Sequence, residues 1–155
     1  MLYFAYGSNM HWPQMITRCP AARFVSRAVL RDHKLAFTRK SVSRGCGVAD
    51  AVPHDRARVW GVVYELADQD IVQLDRSEGF RVGRDRNSYE RRECTVFLEN
   101  GDEAATRVEA YFGVPEANPP LPPNVAYRQL LVGGATHWRL PAAYLSELRA
   151  IRVAG

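Results

Sequence analysis

The sequence predicts a single α+β domain over residues 1–155, in which a small mixed β-barrel or strongly twisted sheet is flanked by short helices. The length of 155 residues suffices for one well-formed core and is short for two. Roughly six β-favouring runs precede residue 114, and helical patterns dominate after it. Consecutive strands in this number commonly close into a small barrel or twist strongly.

The N-terminal segment predicts a buried strand followed by a short helix. Residues 2–6 are aromatic, β-favouring and continuous enough to be buried. A Gly-Ser-Asn turn then leads into a helix over residues 11–19, for which Ser8 or Asn9 is available as a cap. Pro13 suits the first turn of this helix.

Three further strands are expected before residue 67. Residues 24–39 alternate apolar and polar side chains, which indicates one long or bent strand. Residues 45–53 and 57–66 have the composition of two more strands, and the polar sequence His-Asp-Arg between them predicts a turn.

A short amphipathic helix is expected over residues 67–79. Its apolar side includes Leu74, Asp68 is available as a cap, and Gly79 lies just past its end. The polar, glycine-containing sequence of residues 80–88 predicts a loop.

A hairpin and a helical segment complete the chain. Residues 89–113 contain two β-rich runs around the sequence Glu-Asn-Gly-Asp-Glu, where Asn100-Gly101 is a typical two-residue turn. Five prolines make residues 114–124 an extended connection. Residues 124–151 are helical in pattern, with breaks expected at two places, Gly133-Gly134 and Pro141.

Charge and composition argue against a nucleic-acid partner. The net charge is +4, with 19 arginines and two lysines, but the arginines are scattered and most have acidic neighbours. A nucleic-acid surface more often shows a clustered basic stripe with interleaved aromatic side chains. A solvated surface is therefore the preferred interpretation, and the bias towards arginine is typical of a GC-rich bacterial genome.

The same sequence predicts no membrane span, metal or cofactor. No apolar run reaches the roughly 18 to 20 residues that a spanning helix needs. The N-terminus lacks the basic region and cleavage site of a signal peptide, so the cytoplasm is the expected compartment. The three cysteines are widely and irregularly spaced, as expected for reduced thiols, and the four histidines have no metal-binding spacing.

The Gly-Ser-Asn turn at residues 7–9 allows two interpretations. These residue types are common in ordinary capped turns. Alternatively, Gly7 permits the close approach of a ligand, and consecutive N–H groups at a strand-to-helix turn can bind an anion or a developing oxyanion.

Glu78 is a candidate general acid/base. In the last helical turn before Gly79, its carboxylate would face the negative end of the helix dipole, and burial would raise its pKa towards neutrality. The alternative is an exposed glutamate paired with Arg76 or Arg81. The tyrosines at 89, 111 and 127 also have an ordinary interpretation, as core residues with a hydroxyl at the rim.

Three motifs together resemble the γ-glutamylcyclotransferase family: "YFAYGSNM" at the N-terminus, "VWGVVYEL" leading to "LDRSEGF", and "PPNVAYRQLLVGGATHWRLPAAYLSEL" at the end. The resemblance covers nearly the whole chain in order, including "RDHKLAF" and "VEAYF". It implies a compact α+β fold built on a small mixed barrel. It also implies the intramolecular cyclisation of a γ-glutamyl group, which releases 5-oxoproline and a free amine or amino acid without a cofactor.

The resemblance further implies a set of site residues. Glu78 matches the family's single catalytic carboxylate. The positions that match its substrate-binding residues are Tyr3, Phe4, Ala5, Tyr6, Gly7, Ser8, Asn9, Tyr89, Tyr111 and Tyr127. The loop at 80–88 is longer than the corresponding loop of the family. The chain departs from the family here, so the match at Tyr89 and on the leaving-group side of the pocket rests on a weaker correspondence. Some family members are dimers, so a homodimer is a possible state.

On this hypothesis the substrate carries its own nucleophile, the α-amine, and Glu78 accepts a proton from it and later protonates the departing amine. The leaving group stays open between an amino acid, an amine and a protected biosynthetic intermediate, with glutathione less expected. Two other classes are kept as alternatives: a non-catalytic small-molecule-binding or interaction module on the same fold, and an RNA-associated basic protein. Release of 5-oxoproline separates the first two, and the salt dependence of RNA binding tests the third.

Overall fold

A computed structural model describes residues 1–99, 104–114, 116 and 120–154. The strands in this part of the chain are β1 (Leu2–Ala5), β2 (Arg23–Ser41), β3 (Cys46–Glu65), β4 (Tyr89–Leu98) and β5 (Ala105–Gly113). They close into a barrel in the order β1-β3-β2-β4-β5. The β1–β5 pair is parallel and the other pairs are antiparallel, so the barrel is mixed, as the sequence predicts.

Short helices flank the barrel and confirm the predicted α+β class. The described residues contain a 3-10 turn (Ser8–Met10) and four α-helices, α1 (Trp12–Arg18), α2 (Asp68–Ser77), α3 (Val125–His137) and α4 (Ala142–Arg149). None of these helices has the length and apolar character needed to cross a membrane. β4 and β5 form the predicted hairpin, whose expected turn at Asn100-Gly101 lies outside the described residues.

The predicted turn between residues 53 and 57 is wrong, because β3 continues through it as one strand of 20 residues. Both halves of β3 pair with β2, and the register shifts between them so that residues 54–57 lie opposite Asp32 alone. The backbone N–H of Arg56 donates to Asp32 Oδ1 at 3.0 Å, and both residues adopt positive φ angles. The polar sequence forms a bulge instead of a turn, since β2 provides a pairing partner on either side of it.

The predicted helix break at Gly133-Gly134 is also wrong. α3 passes unbroken through both glycines, whereas the break at Pro141 is confirmed, with α4 beginning at the next residue. A Cβ atom on Gly134 would lie 2.5 Å from the carbonyl carbon of Met10. Glycine at this position allows α3 to pack closely on the 3-10 turn.

The side chains predicted to cap the starts of α1 and α2 do not do so, whereas the predicted positions of Pro13 and Gly79 agree with the structure. His11 precedes α1 and no side chain caps it, because Ser8 and Asn9 belong to the 3-10 turn. Ala67 precedes α2, so Asp68 is its first residue and does not cap it. Pro13 lies in the first turn of α1, and Gly79 follows α2, as predicted.

The 3-10 turn is fixed in place by both the barrel and the C-terminal helices. The hydroxyl of Tyr64 on β3 donates to the carbonyl of Asn9 at 2.9 Å. Trp138, at the end of α3, donates its indole N–H to the carbonyl of Met10 at 3.0 Å. Met10 is fully buried. The turn that follows the first strand is therefore a rigid part of the core.

Candidate active site

An inner pocket with about 330 Å³ of empty space lies where the 3-10 turn, the barrel, the end of α2 and the start of α3 meet. The residues that line it are Tyr3, Phe4, Tyr6, Gly7, Ser8, Asn9, Ala49, Glu78, Tyr89, Tyr111 and Tyr127. The structure thus brings together every candidate residue named from the sequence except one.

That exception is Ala5, whose side chain faces the core of the barrel. It is 1% exposed and pairs with Val62 of β3. Ala49 takes a place in the lining that the sequence does not predict. Its N–H donates to the hydroxyl of Tyr127 at 3.0 Å, and its carbonyl accepts from the hydroxyl of Tyr89 at 2.6 Å. A small apolar residue acting through its backbone leaves no signal in a sequence.

Glu78 is placed by the way in which α2 ends. The helix stops at Ser77, so Glu78 is the capping residue just beyond the last helical turn. Gly79 has a left-handed φ of +64°, its N–H donates to the carbonyl of Arg76, and the N–H of Phe80 donates to that of Asp75. These are the two hydrogen bonds of a Schellman motif, which fixes the direction of the chain at Glu78.

The Glu78 carboxylate is largely buried and lies in a polar cluster. Its side chain is 17% exposed, and its Oε1 accepts from Asn9 Nδ2 at 2.9 Å and lies 3.7 Å from Arg18 Nη1. The alternative of an exposed glutamate paired with Arg76 or Arg81 is therefore wrong. Arg18 and Asn9 are far from Glu78 in the sequence, which is why the sequence does not reveal either contact.

Opposing effects act on the pKa of Glu78. Loss of hydration on burial raises the pKa and is the largest effect, and the nearby Asp75 raises it further. Arg18, the hydrogen bond from Asn9, and Arg44 lower it, in decreasing order. The net result is a pKa above the ordinary value of a glutamate.

Asn9 uses the full hydrogen-bonding capacity of its side-chain amide. Its Nδ2 donates to the hydroxyl of Tyr3 and to Glu78, each at 2.9 Å. Its Oδ1 accepts from Gln14 Nε2 at 3.0 Å and from Arg18 Nη1 at 2.9 Å. This set of partners fixes which end of the amide faces the carboxylate. The Asn9 amide therefore holds a fixed donor against the Glu78 carboxylate, a contact that the sequence alone does not reveal.

The 3-10 turn presents backbone donors to the pocket. Within the described residues, no protein acceptor receives a hydrogen bond from the N–H groups of Gly7, Ser8 or Asn9. Gly7 has a φ of −111°, so it is not in the left-handed region. A Cβ on Gly7 would lie 3.3 Å from both the Cβ of Ala49 and the hydroxyl of Tyr127. Its role is close packing beside the pocket.

The tyrosines of the pocket remain protonated at neutral pH. Burial raises the pKa of Tyr127 to about 12, and burial is also the largest cause of the raised pKa values of Tyr3, Tyr6 and Tyr89. Each hydroxyl is thus a neutral hydrogen-bonding group. The hydroxyl of Tyr111 donates to Asp75.

Comparisons with known proteins agree on one family. Residues 3–129 match the model of the family described as "Gamma-glutamyl cyclotransferase, AIG2-like". The chain is 32% identical to proteins named gamma-glutamylcyclotransferase from Bos taurus and Homo sapiens, over 97% of this chain and 78% of each relative. A solved structure titled gamma-glutamyl cyclotransferase superposes with a TM-score of 0.88 at 29% identity, over 99% of this chain and 88% of the other.

Proposed function

The chain belongs to the gamma-glutamyl cyclotransferase, AIG2-like family, and on this premise we propose that it converts a γ-glutamyl amine or amino acid into 5-oxoproline and the free amine. One observation carries this proposal to the residue level. A largely buried carboxyl group, Glu78, lies in the same pocket as the N–H groups of the turn after β1, which have no acceptor among the described residues. Substrate-assisted cyclisation needs a base of this kind and an oxyanion site, and it needs no nucleophilic side chain.

The reaction exchanges one C–N bond for another. The α-amine of the γ-glutamyl group attacks the amide carbon of its own side chain, which closes a five-membered ring. The bond to the leaving amine then breaks, and no electrons are gained or lost. Because nucleophile and electrophile belong to one molecule, holding the folded-back conformation supplies a high effective molarity. The small inner pocket is suited to hold that conformation.

Glu78 moves the proton that the reaction must transfer. Its carboxylate accepts a proton from the α-ammonium group to free the nucleophile, and the resulting carboxylic acid donates it to the departing nitrogen. The second proton that the ring nitrogen loses on closing the lactam passes to solvent. Burial strengthens Glu78 as a base by raising its pKa, while Arg18 and Asn9 limit that rise. These opposing effects support a carboxyl group that can act first as a base and then as an acid near neutral pH.

The N–H groups at Gly7, Ser8 and Asn9 stabilise negative charge on the substrate. The carbonyl oxygen becomes an oxyanion during attack, and the substrate's α-carboxylate is an anion throughout. Preorganised backbone donors suit both, and removing one oxyanion donor typically costs about 3 kcal/mol of transition-state stabilisation. Protonated tyrosines, such as Tyr127 with a pKa raised by burial to about 12, supply further neutral donors at neutral pH.

The described cysteines, Cys19, Cys46 and Cys94, are free thiols. We infer a cytoplasmic location, where such thiols stay reduced.

The first test is the release of 5-oxoproline from a panel of γ-glutamyl dipeptides and amines by the wild type and by Glu78→Gln. We expect the wild type to turn over at least one compound and the variant to lose activity by roughly 100-fold or more, the usual contribution of a general acid/base. Melting curves must show that the variant is folded. Turnover that survives the substitution would contradict the role of Glu78. A wild type that binds these compounds without releasing 5-oxoproline would instead be a binding module.

A further inference from the structure

A second, larger cavity opens directly from the inner pocket. It shares Ser8, Glu78, Tyr89 and Tyr127 with the inner pocket. If the γ-glutamyl group fills the inner pocket, its scissile amide lies beside Glu78. The leaving amine then extends away from the inner pocket, on the side of Glu78 that faces the second cavity. This cavity borders the Glu78 carboxyl group, and it is called the basic groove below.

The basic groove carries an excess of positive charge. Its lining has five basic side chains, Arg18, Arg39, Lys40, Arg44 and Arg76, and two carboxylates, Glu78 and Glu116. Each carboxylate is already paired: Glu78 with Arg18 at 3.7 Å, and Glu116 with Arg39 at 3.1 Å. Lys40, Arg44 and Arg76 form no ion pair within the described residues. Roughly three positive charges are thus left to interact with a ligand.

Arg44 is the best oriented of these free cations. Its Nη2 donates to Gln14 Oε1 at 2.9 Å, and its guanidinium carbon lies 5.2 Å from the ring centroid of Tyr127. Its own carbonyl accepts from Asn124 Nδ2 at 3.1 Å, which ties the β2–β3 turn to the start of α3. The side chain is half-buried. A guanidinium held in this way is preorganised to bind a carboxylate.

Arg39 also lines the basic groove. Its Nη1 donates to the carbonyl of Val114 at 3.0 Å and pairs with Glu116, while its Nε is buried without a partner in the described part of the chain. A buried donor of this kind is costly to leave unsatisfied. Arg39 is thus a further source of positive potential in the groove, while Arg44 is the cation left free to pair with a ligand.

We propose that the basic groove selects leaving amines that carry a negative charge in addition to the α-carboxylate of an ordinary amino acid, so that γ-glutamyl dipeptides with an acidic second residue are preferred substrates. This proposal rests on the proposed function, because it assigns the groove to the leaving group of that reaction. A neutral amine would leave the free cations of the groove without a counter-charge. A cationic amine would be repelled by them.

The test compares γ-glutamylglutamate with γ-glutamylglutamine, two substrates of nearly the same shape that differ by one charge. We expect kcat/KM of the wild type to be on the order of fivefold higher for the acidic substrate, the upper range for a solvent-accessible ion pair. The preference should shrink as the salt concentration is raised, because dissolved ions screen the attraction between solvent-accessible charges. γ-Glutamylalanine, whose leaving group carries one negative charge like that of the glutamine substrate, and γ-glutamylethylamide, whose leaving group carries none, complete the series.

Variants assign the preference to the groove. Arg44→Gln should reduce the ratio of the two kcat/KM values towards one, and Arg76→Gln, at an exposed position with no described ion pair, provides a second variant that is expected to fold normally. Arg107→Gln is the matched control, since Arg107 is 81% exposed and pairs with Glu93 on the barrel surface. It should leave the ratio unchanged.

The outcomes separate this proposal from the proposed function. Release of 5-oxoproline from the series with equal or higher kcat/KM for the glutamine substrate would overturn the charge selection and leave the cyclisation intact. An unchanged ratio in both Arg44→Gln and Arg76→Gln would overturn the role of the groove. Absence of 5-oxoproline from every substrate would overturn the proposed function and this proposal together.

Discussion

The Glu78 carboxylate occupies a position that a structural glutamate would avoid. It lies at the carboxyl end of α2, where the helix dipole disfavours negative charge, and its side chain is largely removed from water. The Asn9 amide and the Arg18 guanidinium compensate in part. The raised pKa means that the charged form of this carboxyl group disfavours the folded state.

This arrangement predicts how the stability of Glu78→Gln depends on pH. The pKa of Glu78 in the folded protein is raised above its unfolded value, so the carboxyl contributes no penalty below about pH 4, where both states are protonated. As pH rises through the folded pKa, the unfolded state releases its proton more readily and the wild type loses stability. We therefore expect Glu78→Gln to be more stable than the wild type at pH 7, with the difference vanishing near pH 4.

Urea unfolding of both proteins between pH 4 and 8 measures this difference. Glu93→Gln, which removes a half-exposed carboxylate from a surface ion pair, controls for the change in net charge. A Glu78→Gln variant that is less stable than the wild type at pH 7 would show that the contacts with Arg18 and Asn9 outweigh the cost of burial.

At the scale of elements, the packing of α3 on the 3-10 turn fixes the site. α3 carries Tyr127 at one end and Trp138 just past the other, and both contact residues next to the pocket. Two adjacent glycines lie on this helix in different surroundings. A Cβ on Gly134 would lie 2.6 Å from the carbonyl oxygen of Met10, whereas a Cβ on Gly133 would lie 3.6 Å from the nearest atom of His11.

Alanine substitutions at these two glycines should have opposite effects. Gly133→Ala should stabilise the protein by about 0.5 to 1 kcal/mol, because alanine has the higher helix propensity and the new methyl group makes an ordinary contact. Gly134→Ala should destabilise it by about 1 to 3 kcal/mol, because the methyl group clashes with backbone that cannot move freely. Urea unfolding of the pair provides the measurement, and each variant is the control for the other. Equal effects of the two would show that α3 can shift on the turn.

The same two glycines explain where prediction from the sequence failed. Local patterns predicted the hairpin, the end of α2 near Gly79, the break at Pro141 and the β-favouring runs, although two of the six predicted strands are halves of β3. Gly133-Gly134 and the polar sequence at 54–56 were misassigned, since a helix and a strand pass through them with support from distant partners. Tertiary contacts override local propensity at such positions.

At the scale of the whole molecule, the inner pocket shows the same limit of prediction from the sequence. Its lining residues lie between Tyr3 and Tyr127 in the sequence, and most of them were predicted from the family resemblance and not from local patterns. The residues that tune Glu78, including Arg18 and Asp75, were not predicted, because ordinary surface residues have the same sequence signature. The backbone groups of Ala49 have no sequence signature, because every residue carries them. Three-dimensional proximity is what turns these residues into one site.

Because the pocket joins both ends of the chain, a ligand bound in it should stabilise the whole fold. We expect L-5-oxoproline, the proposed product, to raise the melting temperature by a few degrees at roughly ten times its dissociation constant, which corresponds to about 1.4 kcal/mol. Gly7→Val is the control, since a Cβ there already lies 3.3 Å from Ala49 and Tyr127, and the larger side chain should close the pocket. A shift of the same size in this variant, or with D-5-oxoproline, would place binding elsewhere on the molecule. A shift confined to the wild type and the L enantiomer would link the stability of the barrel, the turn and α3 to occupancy of the inner pocket.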